Sequence, residues 1–361
     1  MDFDEIIKEQ MKNLIDEEKT DSLSDYASGL TGGISDNFTL DKIVDSTLRG
    51  ESIFRSEEMI DSLKELFFYE LRAALVVGVE ILTICVVIGL LRNLTSSFGK
   101  KGVSEIAQLV CSMVIIGLAM TNFQTIYQMT IDTVNTITYT MEILLPVLIA
   151  VLISMGQVTS GTIMSPLLLT AITIFQTIIK TVIMPAIFLS TVLSLINCLT
   201  EKDYVNQLSK FIRQAALFIT GIILTLMSGI IAIQGLIAQT SDSLLMGTAK
   251  YSLDAFIPIV GGFTADTVEL FLKCMGSIKG MVGVFGILTI AVLILTPIIK
   301  ILAVCVIYKI TALLIEPVAS KKLSEGVSDM GTSLVTMGAI LFFASLLFII
   351  FIASIISLGG S

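Results

Sequence analysis

The chain has 361 residues, 54% of them hydrophobic and only 15% charged, with a mean hydropathy of +0.92. Soluble domains carry about 25% charged residues, so this composition excludes an ordinary water-soluble enzyme and predicts an all-α polytopic membrane protein. There is no His, which removes His-based triads, His-carboxylate metal sites and haem ligation by His. The formal charge of −9 comes from the first 70 residues, where 18 acids face 7 bases, and so gives no reason to expect nucleic acid as a partner.

Residues 1–70 read as a soluble, acidic, helical N-terminal region. Ile6, Ile7, Met11, Leu14 and Ile15 have helical spacing. Gly29, Gly32 and Gly33 break the pattern, and Leu40–Leu66 resumes it. The opening MDFDEIIKEQ lacks the basic start and apolar stretch of a signal peptide. Residues 71–361 form the expected transmembrane domain.

Its first spans are Leu71–Leu91 and Ile106–Tyr127, with basic residues between them. A polar helix, Gln128–Tyr139, leads to two short apolar pieces, Ile143–Met155 and Ile163–Ile179, separated at Gly156–Gly161. Spans Lys180–Leu199 and Gln214–Leu236 follow, then a polar segment, Ala238–Lys250. Ala255–Leu272 and Val284–Ile299 flank an expected break at Gly276–Gly283. Lys300–Pro317 and Met330–Leu358 close the chain. About 20 apolar residues cross a bilayer, so pieces near 15 residues suggest re-entrant-like helical hairpins.

One module is written twice. Tyr139-Thr-Met-Glu142-Ile-Leu-Leu-Pro146 and Tyr251-Ser-Leu-Asp254-Ala-Phe-Ile-Pro258 share Tyr, hydroxyl, aliphatic, acid, three apolars and Pro. Ile178-Ile179-Lys180 and Ile298-Ile299-Lys300 echo each other further on. Basic loops near Arg92, Thr200 and Ser320 extend the pattern to repeat units of about 71–179, 180–299 and a partial 300–361. The positive-inside rule sends all three loops to the cytoplasm, which makes the repeats parallel and the N-terminal region extracytoplasmic.

Glu80 and Lys309 sit at similar depth in equivalent spans. Ions at the bilayer midplane face protein or water and usually pair, so a Glu80–Lys309 pair along a polar path is one reading and a buried structural pair the other. Glu142 and Asp254 fit either helix capping or the lining of a shared cavity. Gly261-Gly262 suggests a broken helix, with Asp266 and Glu269 on neighbouring helical positions, where the first copy has Ile149-Ala150. Close helix packing explains the Gly pair equally well. Arg72, Lys180 and Lys300 read as snorkelling anchors. Gly89, Gly117, Gly221, Gly229 and Gly338 read as packing surfaces. The five Cys are scattered with no CxxC pair and read as structural. No nucleotide, metal or cofactor motif appears, and no enzymatic role is expected.

The run YSLDAFIPIVGGFTADTVE at Tyr251–Glu269, with the TPIIK stretch at Thr296–Lys300, resembles the stage III sporulation protein AE family of endospore-forming Firmicutes. The resemblance covers essentially the whole chain. It implies a multi-pass subunit of the mother-cell membrane facing the forespore. Such a subunit belongs to a channel or transport complex that links the two cells, with other membrane subunits as partners. A structural scaffold and a stand-alone secondary transporter are the alternative roles.

Overall fold

The computed structural model describes residues 56–97, 101–199, 205–256, 261–317 and 321–357. Most of the expected N-terminal region lies outside them. The described residues are helical almost throughout: α1 (Ser56–Ser97), α2 (Lys101–Ser154), α3 (Val158–Ile178), α4 (Met184–Leu199), α5 (Asn206–Phe256), α6 (Gly261–Ile315) and α7 (Lys321–Ser357). A π-helical turn, Ile179–Ile183, joins α3 to α4 without a break. Helices are what an apolar chain must form in lipid, because only they satisfy every backbone N–H and C=O within one segment. Five stretches are long and apolar enough to cross a bilayer: Ser112–Ser154, Pro166–Leu199, Asn206–Ile233, Lys273–Ile315 and Lys321–Ser357.

The helices are longer than the sequence spacing predicts. Ile143–Met155 is not a separate re-entrant piece; through Ser154 it is the end of the 54-residue α2, which passes through Pro146 unbroken. Ile163–Ile179 runs through the π turn into α4. The expected Gly276–Gly283 break is absent, and α6 continues across it for 55 residues. At 1.5 Å per residue, α2 and α6 are each about 80 Å long, against about 30 Å of bilayer hydrocarbon. The glycines at 276, 280 and 283 lie in a long apolar sequence whose packing outweighs the roughly 1 kcal/mol that each Gly costs a helix.

One expected break does form, at Gly156, which takes φ 81°, a left-handed value that Gly adopts without a Cβ penalty. The Gln157 N–H bonds the Leu152 carbonyl at 3.1 Å and the Gly156 N–H bonds the Ile153 carbonyl at 3.0 Å, so a Schellman cap ends α2. α3 starts at once, and the expected loop 156–161 shrinks to a tight helical hairpin. α5 is described to Phe256 and α6 from Gly261, and residues 257–260 lie outside the described ones. Ile149-Ala150, at the corresponding place in the first copy, lies inside α2.

α6 and α7 form the centre of the bundle. α7 packs on α2, α4, α5 and α6, and α6 also packs on α1 and α2. Phe123, Phe175, Tyr308, Phe348 and Phe351 are fully buried. Phe175 meets Phe348 edge-on with ring centroids 6.4 Å apart. The Tyr308 hydroxyl donates to the Ala119 carbonyl at 3.0 Å, which satisfies its polar end in the apolar core. The polar face of α2 is satisfied in the same way. Thr130, Thr133, Thr136, Thr138 and Thr140 are buried, each donating to the carbonyl four residues back.

A charged cavity as the candidate functional site

The polar side chains converge where α4 and α6 end and α5 and α7 begin. These four ends enclose a cavity of about 440 Å³, lined by Ser194, Lys210, Lys309, Lys322 and Asp329 among others. The chain turns there because Thr200–Arg213 and Ala319–Asp329 are the polar stretches between spans. The residues counted as loop charge are the ones that build the site.

Arg213 and Asp329 anchor it. Arg213 Nη2 lies 3.7 Å from Asp329 Oδ1, and Arg213 is almost fully buried. Arg213 Nη1 donates to the Asp329 carbonyl at 2.8 Å and to Ser333 Oγ at 3.3 Å. The Ser194 hydroxyl donates to Asp329 Oδ2 at 2.7 Å. One carboxylate therefore ties α4, α5 and α7 together. Removing a charge from water is offset only when its remaining hydrogen bonds are also made, and here they are. Beside it, Ser190 Oγ donates to the Ser209 carbonyl at 2.7 Å and Ser209 Oγ to the Ser190 carbonyl at 2.8 Å, a reciprocal staple of α4 to α5.

Lys309 reaches the cavity from α6. Its Nζ donates to Ser328 Oγ at 3.0 Å and Thr332 Oγ1 at 2.7 Å, both on α7. It lies six residues before the end of α6 at Ile315. Lys321 faces Glu325 at 4.0 Å on the exposed rim. Asn206 also lines the cavity, and its Oδ1 is buried with no hydrogen-bond partner among the described residues.

The structure does not bring Glu80 and Lys309 together. Glu80 is exposed on α1, and Lys309 bonds α7. α1 does make a charged contact through Glu70, which is buried and lies 3.8 Å from Lys300 of α6. Lys300, expected as an anchor, is a helix-to-helix tie. Tyr139, Glu142 and Pro146 are exposed on α2, and none of them lines the cavity.

The other expected site residues flank residues 257–260, which lie outside the described ones. Tyr251 and Asp254 are in the last turns of α5, and Gly261, Gly262, Asp266 and Glu269 are in the first turns of α6. Their side chains lie outside the described residues, as does Pro258 altogether. Sequence reasoning missed Arg213, Asp329, Ser194 and Lys210 as a group, because charges beside a basic loop were read only for topology. The usable signal was Arg213 and Asp329 lying inside the first turns of apolar helices, where an unpaired charge is costly.

A bundle of long apolar helices with five stretches able to span a bilayer, and a charged cavity at one end, defines a multi-pass helical membrane protein. The family model described as Stage III sporulation protein AE matches residues 38–359, and the chain belongs to that family. It is 29% identical over 316 residues to the Stage III sporulation protein AE of Bacillus subtilis (strain 168), covering 87% of this chain and 78% of that protein. No solved structure matches the chain.

Proposed function

We propose that the protein is a non-enzymatic membrane subunit of the channel or transport complex that links mother cell and forespore. In this reading it forms part of the wall of a path shared with other subunits. Family membership supports the sporulation role. The observation that carries the rest is the split character of the surface. Large apolar side chains are exposed on α1 (Leu75, Val79, Val86), on α5 (Phe218, Leu226, Ile233) and near the cavity end of α6 (Leu302, Ile310, Leu314). On α2 from residue 117 to 150, the exposed positions are instead Gly117, Thr121, Gln124, Thr125, Gln128, Asp132, Tyr139, Glu142, Pro146 and Ala150. On α3, Thr170, Thr173 and Thr177 are exposed, with Ile174 as the large apolar exception. Lipid takes the first surface and water the second.

The bilayer then surrounds the cavity-end part of the bundle, and the α2–α3 hairpin stands out of it by some tens of ångströms. The basic loops favour a cytoplasmic cavity end, and in this reading the hairpin projects to the opposite side, where subunits of a two-membrane complex meet. The close-packed Phe and Tyr core supports a path outside this protomer rather than through it. The duplicated Tyr/acid/Pro modules serve in this reading as a shared outer contact element.

A photo-crosslinking residue tests this in sporulating cells. Placed at Gln128, Tyr139 or Thr170, it should give adducts with other membrane subunits of the complex. Placed at Leu226, it should give lipid adducts. Protein adducts at Leu226 and none on the hairpin would overturn the arrangement. A scaffold is the second reading, favoured by the absence of an open bore among the described core residues. Normal sporulation after charge neutralisation at Lys309, combined with its loss when the hairpin contacts are disrupted, would select the scaffold.

A further inference from the structure

Among the described residues, the cavity has more positive charge than its carboxylates use. Asp329 is engaged by Arg213 and Ser194, and Glu325 by Lys321. Glu316 is exposed at the rim. Lys309 and Lys210 have no carboxylate within ion-pair distance among the described residues. Lys309 is half-buried, and its ammonium spends two of its three donors on neutral hydroxyls, Ser328 and Thr332. The third donor has no partner among the described residues. A cation held this way, beside apolar helix surface and with no carboxylate of the described residues in ion-pair reach, suits an anion from outside the chain.

We propose that this cavity binds an anion bearing a phosphate or carboxylate group, with Lys309 as its central partner and Lys210 as its second. The binding is independent of where the transport path lies. At about 440 Å³ the space falls within the usual range for small-molecule sites and exceeds what one inorganic phosphate fills. Ser324 and Ser328 add neutral hydroxyls along the same wall. A half-turn of the Asn206 carboxamide replaces its unpartnered Oδ1 with an Nδ2 donor. Leu313 lines the cavity and is strongly exposed, so the opening is continuous with the apolar surface of α6. A phospholipid headgroup can therefore reach it sideways from the leaflet, as basic pockets between spans on the cytoplasmic side do, and a soluble anion can reach it from water.

The test uses the full chain reconstituted in nanodiscs, with thermal unfolding and native mass spectrometry as readouts. Phosphatidylglycerol is compared with phosphatidylcholine, and inorganic phosphate is titrated into the phosphatidylcholine discs. Stabilisation and retained lipid with phosphatidylglycerol alone would identify a headgroup. Stabilisation by phosphate in phosphatidylcholine would identify a soluble anion. In either case Lys309→Gln should weaken the effect at least about tenfold, Lys309→Arg should keep most of it, and Arg72→Gln, exposed on α1, should leave it unchanged. Lys210→Gln gives a second reading if Lys309→Gln folds poorly. No response to either anion, or a response equal in wild type, Lys309→Gln and Lys210→Gln, would overturn the proposal.

Discussion

At the scale of single residues, the Arg213–Asp329 pair makes the sharpest demand. Removing one member leaves the other buried without its counter-charge, which costs about 3–5 kcal/mol, whereas replacing both with apolar groups is often neutral. Arg213→Met alone should therefore lower the thermal midpoint in detergent far more than the double variant Arg213→Met with Asp329→Leu. Equal losses in the two would contradict the pair as described. Glycine gives a second contrast. A Cβ at Gly286 would sit 2.8 Å from Leu144 Cδ1, and one at Gly78 would sit 2.8 Å from Ile307 Cγ2. Gly286→Val should cost about 1–3 kcal/mol through overpacking. Gly221 and Gly229 have nothing within 4 Å, so Ala there should be tolerated or slightly stabilising, as helix propensity dictates. Scanning calorimetry of the three variants separates these outcomes. The sequence pointed to Gly117, Gly221 and Gly229 as packing positions, yet they face open space. Composition shows that a Gly is present in a span but not which way it faces.

At the scale of elements, the sequence made helix type legible and helix length illegible. Apolar runs and their helical spacing identified the spans, because in lipid a helix is nearly the sole solution for an isolated segment. Gly clusters suggest breaks, and at Gly276–Gly283 tertiary burial overrides the signal. The Thr side chains of α2 return their hydrogen bonds to the helix, and α6 crosses Gly276–Gly283 against α7. The π turn at Ile179–Ile183 had no sequence signal beyond Lys180. A π turn corresponds to one extra residue in a regular helix. Deleting the exposed Thr181 should therefore restore regular α winding and leave α3 and α4 close to their present register. Phe175 should stay against Phe348, and unfolding should remain cooperative. Loss of cooperative unfolding in the deletion variant, read by the same calorimetry, would show that the turn is not an inserted residue.

At the scale of the whole molecule, the proposed placement divides lipid-facing from water-facing surface along the length of the bundle, not only around it. Only 17% of the apolar window in Asn206–Ile233 is buried, whereas the window in Ser112–Ser154 is 61% buried with polar exposed positions beyond it. Mean hydropathy averages the inner and outer faces of a helix, so the outer half of α2 and α3 read as membrane pieces in the sequence when their exposed faces are polar. The cavity was hidden for a related reason: its polar groups come from four helix ends that are distant in the chain and meet only on folding. The most direct test of this placement is collisional spin-label accessibility in reconstituted bilayers, with labels at Met113, Asp132, Glu142, Thr173, Phe218 and Ile230. Labels at 113, 218 and 230 should relax with oxygen, as lipid-exposed sites do, and those at 132, 142 and 173 with a water-soluble nickel chelate. Oxygen-dominated relaxation at 132, 142 and 173 would put the hairpin back in the membrane and contradict the account.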